Sequence, residues 1–357
     1  MTILYGVQGT GQGHISRARA MAAAFVGQDV DVTWLFSGRS PARLFDMEPF
    51  PGYESRHGLS FTHREGKVQI LPTLRDNKPL RFLQDVRQLD LAPYDLVVTD
   101  FEPVTAWAAK RRGVPCIGIG HQYAFGPGTP SNGGSWLSRA IMRNFAPTDT
   151  ALGLHWHPYA HNVLPPILDL PERSLFQLDH ILVYLPFEDQ DRVTEMLRRF
   201  PERRFIQYAN GLEHAVMGNV TRCPGSVVNF KRDLAACRGV LCNSGFELIS
   251  ECLQWRKPVL TKPLSGQMEQ LSNALALEQL GYAAVMPQLS ELRLGQWLES
   301  SPAAPLVNYS DVAPVLTAWL AAGCPETPQQ LGRKLWQRQT PQSSSRDGSP
   351  LLRGVAA

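Results

Sequence analysis

Residues 239–276, GVLCNSGFELISECLQWRKPVLTKPLSGQMEQLSNALA, limit what this chain can fold into more than any other stretch. The apolar run Gly239-Val240-Leu241-Cys242 halts at Asn243-Ser244-Gly245, and apolar residues return at Phe246, Ile249 and Leu253 with helical spacing. Pro258-Val259-Leu260 opens a second apolar run. The order is strand, tight turn, helix, strand, and the crossover has the length a parallel pair needs. A helix that starts at Ser-Gly directly after a buried strand aims unpaired backbone N–H groups at one spot, where its dipole favours negative charge. Ser244 and Gly245 therefore form a seat suited to phosphate. Glu251 lies further along that helix, and Glu269-Gln270 open the next helical segment through Asn273 and Leu277. Carboxylates and amides beyond a phosphate seat are suited to sugar hydroxyls.

A chain of 357 residues is long enough for two domains that each bury a core. Hydrophobic residues make up 43% and charged residues 19%, as in a soluble globular protein. The formal charge of +3 is too small to imply nucleic acid without a local patch. The six cysteines are scattered and contain no CxxC pair, so they read as reduced core residues of a cytosolic protein. No apolar run reaches the length of a transmembrane helix, and the first residues pass straight into a strand without a signal-peptide pattern.

At the N-terminus, Ile3-Leu4-Tyr5-Gly6-Val7 reads as a buried strand, followed by Gln8-Gly9-Thr10-Gly11-Gln12-Gly13-His14 and a helix over 15–25. Glycines at 9, 11 and 13 permit a backbone route that side chains would block. The spacing is not the dinucleotide G-x-G-x-x-G, and the second strand, 32–36, ends in Ser37-Gly38-Arg39 without an acid. Tyr94-Asp95-Leu96-Val97-Val98-Thr99-Asp100 delivers Asp100 to a strand end, where open parallel sheets bind ligands. Asp100 also has a purely structural reading, as the cap of a helix over 103–110.

A proline-rich segment, 162–178, divides the chain into a first domain over 1–161 and a second over 179–323, with a polar, flexible tail over 324–357. Strands are expected at 180–185, 204–208, 226–229, 239–242, 258–261 and 282–286 in the second half. Two blocks of alternating strands and helices predict an α/β protein of two doubly wound parallel sheets facing across a cleft. Leu185-Pro186-Phe187-Glu188 would border that cleft. In the segment 135–145, Trp136, Leu137, Ala140, Ile141 and Phe145 share one helical face while Arg139 and Arg143 lie on another. Such a helix could pack in the core or rest on an anionic membrane surface. His155 and His157 mimic a metal pair without a third ligand, and Asp189-Gln190-Asp191 is a weak D-x-D metal motif.

The segment 239–276 resembles the nucleotide-sugar half of GT-B glycosyltransferases, most closely the family 28 enzymes of the peptidoglycan N-acetylglucosaminyl transferase type. The loop ending in His14 resembles the GGTGGH-type loop of the same group, with Gln12 replacing a glycine. The resemblance implies two Rossmann-like domains and an inverting glycosyltransferase that moves a sugar from a nucleoside-diphosphate sugar, with UDP the expected nucleotide, to an acceptor hydroxyl on a lipid-linked or cell-envelope glycan. It implies no cofactor beyond the co-substrate and no metal. Ser244 and Gly245 would hold the diphosphate, Glu251 the ribose, Glu269 with Gln270 the donor sugar, and Asn273 would brace the turn. Phe230, in Asn229-Phe230-Lys231, stands where the nucleotide base is lodged by backbone groups. Gly11, Gly13 and Arg17 belong to the acceptor or phosphate loop. His14 would be the catalytic base, oriented by Asp100 or by Glu102.

The chain also departs from these relatives. Arg17 replaces a proline or small residue, which points to a more anionic acceptor side. Asn243 stands where a basic residue or histidine is common. Glu269-Gln270 looks like the acid-amide pair of UDP-glucosyltransferases rather than a double glutamine, so the sugar is open between glucose-like and N-acetylhexosamine types. A cytoplasmic protein, peripheral to the inner face of the membrane through the 135–145 helix, fits these expectations. Two other functions remain open: a nucleotide-sugar 2-epimerase, which would act on the donor alone, and a non-catalytic nucleotide-sugar sensor.

Overall fold

A computed structural model describes residues 1–44, 46–59, 63–64, 67–68, 78–133, 136–160, 162–170, 178–300 and 305–337. Its strands, in chain order, begin with β1 (Thr2–Gln8), β2 (Asp31–Ser37), β3 (Glu54–Ser55) and a two-stranded ribbon of β4 (His63–Arg64) and β5 (Lys67–Val68). They continue with β6 (Leu96–Asp100), β7 (Cys116–Gly120), β8 (Thr150–Leu154) and β9 (Val163–Leu164). The second half contributes β10 (His180–Tyr184), β11 (Arg204–Tyr208), β12 (Ala215–Met217), β13 (Val220–Cys223), β14 (Gly239–Asn243), β15 (Val259–Lys262) and β16 (Ala284–Val285). The helices are α1 (Gln12–Phe25), α2 (Pro79–Gln88), α3 (Pro103–Arg112), α4 (Trp136–Phe145), α5 (Gln190–Arg198), α6 (Val227–Ala236), α7 (Phe246–Gln254), α8 (Met268–Leu280), α9 (Glu291–Ser300), α10 (Val312–Ala321) and α11 (Pro328–Gln337).

Two seven-stranded sheets result, in the orders β3-β2-β1-β6-β7-β8-β9 and β12-β13-β11-β10-β14-β15-β16. Every pairing in the first is parallel, and in the second only the edge strand β12 runs antiparallel. All residues of β6, β7, β14 and β15 are buried, as strands covered on both faces must be. Strand order reverses between β1 and β6 and again between β10 and β14. Ligands of open α/β sheets bind at the carboxyl ends of strands flanking such a reversal. The two expected doubly wound sheets are therefore present, and each places its switch point on a segment singled out from the sequence.

Several boundaries differ from expectation. Residues 226–229 start α6 rather than forming a strand, because the Ser226 hydroxyl accepts from the Asn229 amide and caps the helix. Their place in the sheet is taken by β13, the second arm of a β12–β13 hairpin turned at Gly218, whose φ is 69°. β12 is short and only partly buried, so its residues carry little period-2 signal. The segment expected as a linker from 162 opens with β9, which still pairs with β8. The expected tail is helical over α11, where Leu331 and Leu335 form a buried stripe within a polar sequence and Trp336 Nε1 donates to the Val163 carbonyl at 2.6 Å. In α10, the Thr317 hydroxyl donates to the Ala24 carbonyl at 3.1 Å. The last two described helices thus return to the first lobe.

Helix α4 is formed, but the side chains of Trp136 to Arg139 and of Ile141, which carry most of the expected amphipathic faces, lie outside the described residues, as do residues 338–357 of the tail. Among the described residues no helix is long and apolar enough to cross a membrane.

One hydrophobic core runs through both sheets. At its centre His121 stacks on Phe246 of α7 with ring centroids 4.0 Å apart and planes 4° from parallel, and Trp156 donates its indole N–H to Ser250 at 2.8 Å. Aromatic burial of this kind dominates the energetics of an interface.

After β6 the chain turns sharply through Phe101 (φ 53°) and enters α3. Glu102, not Asp100, caps that helix: its carboxylate accepts from the Val104 and Thr105 amides and from the hydroxyls of Ser37 and Thr105. Burial pushes the Glu102 carboxyl up, and the hydrogen bonds from Ser37 and Thr105 only partly oppose it. Glu102 is thereby excluded as the orienting partner of His14. Glu102→Ala leaves two amides and a hydroxyl buried without acceptors, an expected loss of about 2–4 kcal/mol in urea unfolding; unchanged stability would contradict the capping role.

Candidate active site

Both switch points carry polar side chains that converge on one place. In the first lobe, β1 leads through the glycine loop into α1, and His14 in the first turn of α1 sits beside the end of β6. His14 Nδ1 lies 2.8 Å from Asp100 Oδ1. Asp100 has no exposed surface, whereas the His14 side chain keeps 12%. Arg17, one turn further along α1, is buried with them and forks onto the same carboxylate: Nε lies 2.8 Å from Oδ2 and Nη2 2.5 Å from Oδ1. Burial alone would raise the Asp100 carboxyl, but the charge of Arg17, followed by that of His14, outweighs burial and holds it below the usual carboxylate range.

The glycine loop provides the clearance expected of it, without left-handed backbone. None of Gly9, Gly11 and Gly13 adopts a positive φ. What they provide is space. A Cβ on Gly9 would stand 2.9 Å from the Ser37 carbonyl oxygen, and one on Gly13 would stand 2.6 Å from Cγ of Glu247, a residue of the opposite lobe. Glu247 belongs to the first turn of α7 and forms an ion pair with Arg17 Nη1. Arg17, read from the sequence as pointing to a more anionic acceptor side, is instead consumed by two carboxylates, one from each lobe.

In the second lobe α7 begins at Gly245 with no side chain capping it. The Ser244 hydroxyl points back to Thr261 Oγ1 at 2.9 Å, so the turn offers main-chain amides rather than that hydroxyl. Asn273 bonds the turn: Nδ2 donates to the Ser244 carbonyl at 3.0 Å, and Oδ1 lies 2.7 Å from His121 Nε2. Glu251 is neither solvated nor open. It is buried against the Lys231 ammonium, with the Ser16 hydroxyl 3.4 Å away. Burial raises its carboxyl and Lys231 opposes that rise. Glu269 faces the first lobe, where its Oε2 accepts from Gln122 at 3.0 Å. Gln270 turns away, its Oε1 accepting from the Leu264 amide. The acid-amide pair is therefore split between the cleft and its own loop.

Phe230 lies inside α6, with its ring 5.2 Å from that of Tyr184 and 5.3 Å from that of Tyr208. Its amide is bonded to the Ser226 carbonyl. The expectation that backbone groups of this segment lodge a base is thus overturned, because the helix uses them. Sequence reasoning also missed the buried Lys262–Glu188 pair, 2.6 Å apart, at the ends of β15 and β10. Asn243 Nδ2 donates to the Lys262 carbonyl at 3.0 Å. The neighbouring positions of Asn243 and Lys262 in the β14–β15 register were the available signal. Arg17 could have been paired with His14 by its i+3 spacing on one helix.

The weak metal motifs are otherwise engaged. Asp189 caps α5, Asp191 pairs with Arg222 at 2.6 Å, and His155 accepts from the Trp156 amide. Among the described residues no three His, Cys, Asp or Glu side chains gather as a metal-binding group.

Replacing Asp100 by Ala would leave Arg17 with one carboxylate fewer in a buried setting, and an expected loss of about 3 kcal/mol follows. The sign of its pH dependence is fixed by the depressed carboxyl. The wild-type advantage should be complete above about pH 4 and fade as pH falls further. Urea unfolding of both proteins between pH 3 and pH 7 would measure this difference, and one that grew on acidification would contradict it.

Known proteins share this fold. The sequence model described as glycosyl transferase family 1 matches residues 1–302. No curated protein sequence matches the chain. Among solved structures the chain is similar to the glycosyltransferase SnogD from Streptomyces nogalater, with 15% identity over 94% of this chain and 99% of that one and a TM-score of 0.52. It is similar also to SsfS6 of Streptomyces sp. SF2575 in complex with thymidine diphosphate, with 14% identity, 94% and 99% coverage and a TM-score of 0.56. The spinosyn rhamnosyltransferase SpnG with spinosyn aglycone gives 11% identity, 94% and 100% coverage and a TM-score of 0.53. Paired Rossmann-like lobes, polar switch points facing across their junction and a family match over most of the sequence lead to one conclusion: the chain belongs to glycosyl transferase family 1 and is a nucleotide-sugar glycosyltransferase of the GT-B fold.

Proposed function

We propose that the chain transfers a sugar from a pyrimidine nucleoside-diphosphate sugar to an acceptor hydroxyl in one displacement, inverting the anomeric carbon, with His14 as the base. The observation that carries this reading is the 2.8 Å contact between His14 Nδ1 and the buried Asp100 carboxylate, made opposite the uncapped start of α7. A carboxylate on Nδ1 fixes the tautomer in which Nε2 accepts a proton and stabilises the imidazolium that results. The acceptor oxygen forms its bond to the anomeric carbon as the bond to the diphosphate oxygen breaks, and the acceptor proton passes to His14 Nε2. The departing diphosphate is held by the amides at the start of α7, where the helix dipole supplies the countercharge. Glu269 and Gln122 border the sugar, and Glu251 takes the ribose by exchanging the Ser16 hydroxyl, 3.4 Å from its Oε1, for a ribose hydroxyl. Phe230 contributes its ring and not its main chain.

UDP is the nucleotide favoured by the likeness of residues 239–276 to family 28, and thymidine diphosphate is the one bound to SsfS6. An apolar or lipid-linked acceptor is favoured by the 135–145 pattern, in keeping with the aglycone bound to SpnG. Thermal shift with UDP, thymidine diphosphate and GDP sugars would decide the donor, since a ligand at 100 times its dissociation constant adds about 2.7 kcal/mol of stability. With that donor and a panel of hydroxylated acceptors, His14→Ala is expected to lower transfer by about 10²–10⁴-fold while retaining nucleotide binding. Undiminished transfer would remove His14 as base, and an epimer formed from donor alone would replace transfer by epimerisation. Activity lost to EDTA would restore a metal.

A further inference from the structure

We infer that Glu247, reaching over from the second lobe, sets the tautomer of His14 by holding Arg17 on Asp100. The catalytic meaning of this arrangement rests on His14 being the base, but the proton position it concerns can be measured without turnover.

Two groups compete for His14 Nδ1. Asp100 Oδ1, at 2.8 Å, is a carboxylate oxygen and accepts. Arg17 Nη2, at 3.0 Å, can only donate. If Nδ1 carries the proton, it donates to Asp100 and Nε2 is left unprotonated, the form a base requires. If Nδ1 is bare, Arg17 donates to it, the proton resides on Nε2, and the ring can no longer accept from a substrate hydroxyl. The tautomer is thus decided by where the guanidinium N–H groups are committed.

Glu247 governs that commitment. Arg17 is 1% exposed, so water does little to satisfy its donors. Nε and Nη2 reach the two oxygens of Asp100, and Nη1 reaches Glu247. Nη2 carries two N–H groups, one on Oδ1 and one beside Nδ1, and in a planar guanidinium the pull of Glu247 on Nη1 sets the rotation that decides whether the second is aimed at Nδ1 or past it. Glu247 also counters the guanidinium charge, so that Asp100 still presents net negative charge to the imidazole. The path of Glu247 to Arg17 lies over Gly13, whose lack of a side chain leaves room for the Glu247 stem. Glu247 is therefore a positioning residue. Because it comes from α7, whose first turn also bears the phosphate seat, opening of the cleft would withdraw it from Arg17 and release the clamp on the base.

The test is ¹⁵N NMR of the full chain labelled at histidine, at about pH 9, above the ordinary imidazole titration range. The His14 signals are assigned by their loss in His14→Gln. The wild type is expected to show the Nδ1–H form in excess. Glu247→Ala, and Gly13→Ala, which keeps every charge but displaces the Glu247 stem, should each shift the tautomer ratio toward Nε2–H by about tenfold, the size of one lost charged hydrogen bond. Thermal melts confirm that each variant is folded. A wild-type His14 already in the Nε2–H form, or two folded variants with the wild-type ratio, would overturn the inference. Full transfer by His14→Ala would sink the base reading and leave the tautomer result standing.

Discussion

Burial of the Asp100 carboxylate is the constraint on which the rest depends. A charge without exposed surface must be compensated where it sits, because leaving it unpaired in a low-dielectric interior costs several kcal/mol. The charge of Arg17 compensates it first, followed by that of His14 and by the hydrogen bonds both make to it. Each has to come from α1, three residues apart on one helical face, and α1 has to start immediately after β1 so that its first turn lies beside the end of β6. The parallel β1–β6 pairing and the glycine loop thus serve a single ion cluster.

That cluster is also what joins the lobes electrically. Arg17 is shared between Asp100 of the first lobe and Glu247 of the second, and the same interface buries aromatic rings, with His121 and Trp156 against Phe246. Asn273 links His121 to the carbonyl of Ser244, so the turn that seats an anion is bonded to the first lobe as well. The two halves of the proposed chemistry, a base and an anion seat, are therefore held by the same few side chains.

Much of this was legible in the sequence because it is written in local pattern. Apolar runs ending in Asp100 and in Asn243-Ser244-Gly245 marked strands and the turns behind them, and the alternation of strands with helices specified two parallel sheets. What escaped was whatever depends on a partner far along the chain. Glu251 reads as a carboxylate open to sugar hydroxyls until Lys231 and Ser16 are brought to it. Gly13 reads as a place where a side chain would block the backbone's route, but the group it makes room for, a side chain more than 200 positions away, leaves no local trace. Residues 226–229 read as a strand although the Ser226 hydroxyl caps a helix there, and the resemblance puts free backbone groups at Phe230 where that helix uses them. The last described helix was hidden by its polar composition, since the large apolar residues it turns inward are few: Leu331, Leu335 and Trp336.

The central claim, that a nucleoside diphosphate lies on the start of α7 facing His14, is tested most directly by a crystal structure of the chain soaked with UDP or thymidine diphosphate. The expected result is a diphosphate bonded to the main-chain amides following Ser244, with its terminal phosphate turned toward the first lobe and His14. A nucleotide lodged on the glycine loop of the first lobe, or elsewhere in the second with the start of α7 vacant, would contradict it.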